Sequence, residues 1–168
     1  MKIETERLVI SEFDDSMIGS VHLNSLDEDN RRFVPDEVFE TIEEAREAVE
    51  FLKTRYESSE GPFVHPILLH SGENIGHVQA VQIEGGWEIG YHIAETYTGN
   101  GYSVEAVKAF LPVLFKKLDI TKIYGICLAE NVASQKVLEK CGFEFDHKSI
   151  ENYQNKPRLV YRYKYSLS

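Results

Sequence analysis

Basic residues are under-represented in this chain. It has 18 Lys and Arg against 28 Asp and Glu, a formal charge of −10 with histidine neutral. That field repels nucleic acid and anionic membrane and attracts cations; it also serves solubility. Cysteine is scarce, with two residues, Cys127 and Cys141, and the six histidines are scattered. No Cys and His stand at metal-ligand spacing, so no metal is expected. The two cysteines read as small buried hydrophobes and not as a disulfide. No apolar run reaches the roughly 18 residues of a membrane span. The Met1 to Arg7 start is too polar for a signal peptide. The expectation is a cytoplasmic protein that uses neither membrane nor nucleic acid. Internal repeats, low-complexity tracts and linkers are missing, so the 168 residues read as a single domain, 1–168.

Elements follow from periodicity. Ile3 to Phe13 alternates as a first strand. A helix starts at Asp14-Asp15-Ser16, and the polar stretch Asp27 to Pro35 reads as a connector whose Arg31 and Arg32 pair with its own acids. Thr41-Ile42-Glu43-Glu44 is a capping box. It opens a helix with Ile42, Ala45, Val49, Leu52 and Tyr56 on one face. Phe63–His70, Ile75–Ile83 and Trp87–Ile93 form an antiparallel meander with short turns. A helix begins after Gly101, with a bend or break expected between Lys108 and Pro112 because proline removes a ladder bond. Thr121–Leu128 is a buried strand, and Asn131 opens a helix that Gly142 stops. Phe143–His147 and Arg158–Ser166 are the last strands, joined by a polar loop over residues 151–157. Alternating helix and strand after the meander argue a crossover and a mixed α/β sheet.

The chemical centre is Glu88-Ile89-Gly90-Tyr91-His92-Ile93, followed by Thr98-Gly99-Asn100-Gly101-Tyr102-Ser103. Two glycines leave the backbone bare, and the next helix points its unpaired N–H groups and positive dipole end at the same place. This is an anion site suited to a pyrophosphate, or else a tight strand-to-helix turn. No lysine follows Gly101 and a third glycine is missing, which disfavours a nucleotide-binding protein.

With the second stretch, Asn131-Val132-Ala133-Ser134 through Gly142-Phe143, and the opening Thr5-Glu6-Arg7-Leu8, the chain resembles the GNAT superfamily of acyl-CoA N-acyltransferases. The likeness is to its ribosomal-protein-alanine acetyltransferase (RimJ/RimL-type) branch and runs from Ile3 to about Tyr163. It implies a mostly antiparallel sheet of about seven strands with flanking helices, two of the strands splayed around acetyl-CoA. The implied function is acetyl transfer from this co-substrate to a primary amine, by direct attack in a ternary complex. The acceptor is a protein N-terminus, or alternatively a polyamine or antibiotic amine; a non-catalytic acyl-CoA-binding module is a further alternative.

Carried over, Tyr91, His92 and Ile93 offer backbone groups to the pantetheine arm and acyl carbonyl. Thr98, Gly99, Asn100, Gly101, Tyr102 and Ser103 hold the pyrophosphate. Asn131 contacts the pantetheine arm and Ser134 protonates the leaving thiolate, although both also make sense as helix punctuation. Glu88 is the candidate base, with His92 on the same strand face as the alternative; Glu88 also reads as an ordinary strand glutamate. Thr96 stands where the family usually has Gln or Arg. Lys136 reads as a solvated lysine within reach of the phosphate end. Acceptor specificity is expected in residues 14–62 and in the 151–157 loop. A homodimer is compatible with the sequence, which is silent on oligomeric state.

Overall fold

The computed structural model describes residues 1–153 and 155–167. Gln154, in the 151–157 loop, and Ser168, the last residue of the expected domain, lie outside the described residues. The strands are β1 (Ile3–Glu4), β2 (Leu8–Ile10), β3 (Phe63–Leu69), β4 (Asn74–Ile83), β5 (Gly86–Ile93), β6 (Lys122–Leu128), β7 (Glu144–Tyr153) and β8 (Lys156–Ser166). They form one sheet in the order β1-β2-β3-β4-β5-β6-β8-β7. The β5–β6 pair is parallel and the others are antiparallel. The helices are α1 (Ile18–Ser25), α2 (Glu28–Phe33), α3 (Ile42–Arg55), α4 (Tyr102–Leu118) and α5 (Val132–Lys140).

The sheet separates two cores. Strand alternation sends Phe63, Trp87 and Ile89 to the face packed by α4 and α5, with Phe110, Leu114 and Leu138. Val64 goes to the opposite face, where it meets Phe13, Ile18, Ala45 and Val49 under α1 and α3. By the same alternation Glu88, Gly90 and His92 point toward the α1–α3 face.

Several sequence expectations are corrected. Ile3–Phe13 is not one strand but a hairpin, closed by Thr5 N–H donating to the Leu8 carbonyl at 2.9 Å. The Thr5 hydroxyl accepts from Leu8 N–H at 2.9 Å, so a turn-forming side chain cuts the alternating run. The 27–35 connector contains α2, a short helix whose acids and bases suit its dipole and which buries only Asn30. Apolar periodicity could not announce it. Arg31 does pair nearby, with Glu40, but Arg32 reaches Glu130.

At the capping box Thr41 Oγ1 accepts from Glu44 N–H at 3.2 Å, while Glu44 Oε2 returns to the N–H of Glu40 and not of Thr41. Ile42, placed on the buried face, is exposed. Helix α4 runs unbroken through Pro112. Pro112 and Lys108 both stand on its exposed side, where the unpaired carbonyl meets water. The final hairpin is far longer than expected, β7 and β8 pairing out to Tyr153 and Lys156. Strand β7 is exposed along almost its whole length, so it shows no apolar pattern and is held by its ladder. Cys127 and Cys141 are free and buried, as expected.

Candidate active site

The sheet opens at its one parallel pair. Strands β5 and β6 pair at Glu88–Tyr124 and Ile89–Gly125, yet β5 continues to Ile93 and β6 to Leu128. Beyond Ile89 the two strands diverge. The cleft between them has a volume of about 610 Å³ and is lined by Glu88 to Ile93, Gly125 to Leu128, Thr98, Ser103, Asn131 and Ser134. Helix α5 packs hard on this opening. A Cβ built on Gly125 would lie 2.4 Å from a Leu138 methyl, so only glycine lets α5 come this close to β6.

The glycine turn sits at the cleft's end. Gly101 is the N-cap of α4 and has φ +78°, a left-handed conformation glycine adopts freely. The amides of Gly99 to Ser103 find no acceptor among the described residues. Thr98 and Ser103 line the cleft, whereas Gly99, Asn100, Gly101 and Tyr102 belong to the turn without lining it. The Asn100 side chain donates to the carbonyl of Tyr97 at 3.0 Å and so shapes the turn from within. Thr96 and Lys136 are exposed.

Arg7 fastens this turn. Its guanidinium donates to the Asn100 carbonyl at 2.8 Å and to Glu105 at 2.7 Å, and lies 4.5 Å above the Tyr102 ring. Thr5 Oγ1 donates to the same Glu105 carboxylate at 2.5 Å. The N-terminal Thr5-Glu6-Arg7-Leu8 stretch therefore clamps the turn from the neighbouring edge of the sheet.

On the α5 side, Tyr91 Oη lies 2.8 Å from Ser134 Oγ and donates to the Ser134 carbonyl at 3.0 Å. Burial holds the Tyr91 phenol well above its ordinary pKa, so it stays protonated. Tyr91 was expected to act through its backbone; its side chain is the finding here. Asn131 Oδ1 accepts from Ser134 N–H at 3.2 Å, which makes it the helix N-cap while it also lines the cleft.

On the α1–α3 side, Glu88 faces Glu37, a residue the sequence did not single out. Burial, then the Glu37 charge, push the Glu88 carboxyl up to about 7, against the pull of Arg162. Glu37 is raised by burial as well, and accepts from Gln79 Nε2 at 3.1 Å. Gln79 lies over Gly90, where a Cβ would come within 2.8 Å of its amide nitrogen. His92 shares this face as expected. Its Nε2 lies 3.3 Å from the Asn24 carbonyl and 3.4 Å from Asp27 Oδ2. Burial lowers its pKa despite Asp27, which favours a neutral imidazole held in place.

The structure thus gathers Glu88, Tyr91, His92, Ile93, Thr98, Ser103, Asn131 and Ser134 around one cleft. Glu37, Gln79 and the clamp role of Arg7 escaped the sequence reading, because their partners come from distant segments.

Comparison with known proteins agrees with this geometry. Residues 7–144 match the family described as acetyltransferase (GNAT) domain. The uncharacterised N-acetyltransferase YnaD of Bacillus subtilis (strain 168) is 31% identical over 145 residues, 84% of this chain and 82% of that protein. A GNAT-family acetyltransferase from Bacillus anthracis superposes with a TM-score of 0.84 at 27% identity, covering 99% of this chain and 98% of that one. RimL, a ribosomal L7/L12 α-N-protein acetyltransferase solved in complex with coenzyme A, superposes with a TM-score of 0.86, covering 99% and 98%. At 19% identity that likeness is one of fold.

Proposed function

The chain belongs to the GNAT acetyltransferase family, and we propose that it moves an acetyl group from acetyl-CoA to a primary amine by direct attack in a ternary complex. The observation that carries this reading is the divergence of β5 and β6 beside a turn whose amides find no acceptor among the described residues. The groups present fit such a co-substrate. Free strand edges can receive the pantetheine arm, and the Gly99–Ser103 amides with the dipole of α4 suit its pyrophosphate. Acetyl-CoA supplies the activated thioester.

The protein's own residues then divide the proton traffic. A primary ammonium must lose a proton before its nitrogen can attack. Glu88, with a pKa near neutrality, accepts that proton directly or through a water. A C–N bond forms, the C–S bond breaks, and the nitrogen releases its second proton to water as the intermediate collapses. The Ser134 hydroxyl, 2.8 Å from Tyr91 Oη, can give its proton to the departing sulfur, and the buried, protonated Tyr91 phenol can then turn its proton from the Ser134 carbonyl to the oxygen left behind. The carboxylates Glu37 and Glu88 favour a cationic acceptor.

The test is thermal unfolding with and without acetyl-CoA, ATP and NAD as controls, followed by thiol release with a set of amines. At a hundredfold excess over Kd a ligand adds about 2.7 kcal/mol, a shift of several degrees at this size. No shift with acetyl-CoA in a folded sample refutes the reading of the turn. A shift without thiol release from any amine refutes the reaction.

A further inference from the structure

We propose that the apolar pocket on the α1–α3 face, which opens into the cleft past Glu37, receives the body of the acceptor, so that the preferred substrate is a primary amine carried on an aromatic or branched aliphatic group. This rests on the acetyl-transfer reading of the cleft and adds to it the class of acceptor. The pocket has a volume of about 270 Å³, with Val21, Phe39, Phe51, Leu52, Val64 and Val81 among its walls. Asn30, Glu37, Gln79, Val81 and His92 line both this pocket and the cleft, so the two are continuous. The junction holds Glu37, with Glu88 in the cleft beside it, and the depth holds the apolar surface.

The walls are preformed. Ser25 Oγ accepts from Phe39 N–H at 2.9 Å, and the Phe39 carbonyl lies 2.8 Å from His22 Nδ1. Asn30 Nδ2 donates to the carbonyls of Ser25 at 2.9 Å and Glu37 at 3.2 Å. The segment carrying Glu37 and Phe39 is thereby stapled to α1, which spares an arriving ligand the entropy of ordering it. Phe51 stands 52% exposed at this pocket.

Charge selects between acceptors. Glu37 is the one carboxylate among the lining residues, and it sits at the junction. The ammonium of an apolar amine can stay with Glu37 and Glu88 while its carbon body leaves water. The second ammonium of a polyamine would instead be desolvated against Phe39 and Val64 with no counter-charge.

The experiment compares 2-phenylethylamine and a peptide beginning with Phe against ethylamine, a peptide beginning with Ser, and spermidine. It reads acetyl-CoA-dependent thiol release, and calorimetric binding of each amine to the CoA-loaded protein. The expected kcat/KM is at least about tenfold higher for the apolar members, and the preference should collapse in Ala48→Phe, which fills the pocket. The peptide and free-amine arms tell an N-terminal residue from a small-molecule amine. Equal rates across the series, or a preference for spermidine, overturn the pocket assignment and leave amine acetylation standing. Selective binding of the apolar amines without turnover upholds the pocket and defeats the reaction. Absence of selective binding and of selective turnover defeats the pocket.

Discussion

Glu88 is held between opposing influences, and its pH dependence follows from them. Burial and Glu37 favour the protonated form while Arg162 favours the carboxylate, leaving a pKa of about 7. Below that pH the group carries its proton and cannot act as a base. Thiol-release kcat/KM should therefore rise with pH through about 7 and level off above it. Glu37→Gln removes the neighbouring charge and should move this limb to lower pH. Glu88→Gln should cost about a hundredfold or more in kcat at unchanged acetyl-CoA affinity. A flat profile in the parent protein, or full turnover in the glutamine variant, would remove Glu88 from the mechanism.

Elements meet at this site through contacts that leave little room. Helix α5 lies on β6 only because position 125 lacks a side chain. Gly125→Ala should displace Leu138 and cost about 1–3 kcal/mol by overpacking, a fall of several degrees in Tm. Since α5 also carries Ser134, turnover should fall with it; calorimetry and thiol release on one sample would show both. The N-terminal hairpin acts on the turn through Arg7. Arg7→Ala frees the Asn100 carbonyl and leaves the Glu105 carboxylate with only the Thr5 hydroxyl and the backbone N–H of residue 7. KM for acetyl-CoA should rise roughly tenfold, the value of one charge-assisted hydrogen bond, with kcat at saturation retained. An unchanged KM would mean that the turn keeps its shape without the clamp. Opposite it, Glu130 accepts from Arg32 of α2 at 3.3 Å and from Arg158 of β8 at 2.5 Å, joining segments from both sides of the sheet opening.

The molecule as a whole carries an acid-sensitive group in its interior, away from the cleft. His65 is 2% exposed, stacks on Tyr56 with ring centroids 4.8 Å apart, and has Nδ1 2.8 Å from the Ser11 carbonyl. Burial pushes its pKa down to about 4. The unfolded chain, with a pKa near 6.5, binds the proton first as pH falls. Stability is thus lost between about pH 6.5 and pH 4 and is complete above that window. The shift is worth on the order of 3 kcal/mol. Thermal melts across this range should show a steeper decline for the parent than for His65→Gln. Parallel curves would mean that the histidine is protonated in the folded state without cost.

The sequence alone determined what local pattern encodes. Strands β3 to β6 follow from apolar runs between turn residues, the starts of α3 and α5 from capping residues, and the turn before α4 from two glycines. Each signal depends on neighbours a few positions apart, so the residues carry it themselves. Resemblance then supplied Glu88, Asn131 and Ser134 as a set. Tertiary structure decided what depends on distant chain segments. Glu37 beside Glu88, Tyr91 on Ser134 and Arg7 on Asn100 are long-range meetings without any period to read. The length of β7 was equally hidden, because an exposed edge strand is specified by its partner's backbone and not by apolar side chains. The break expected at Pro112 does not occur, for a related reason. Proline removes one ladder bond and crowds the carbonyl four residues back; here that side of α4 faces water, and which side does so is settled by packing.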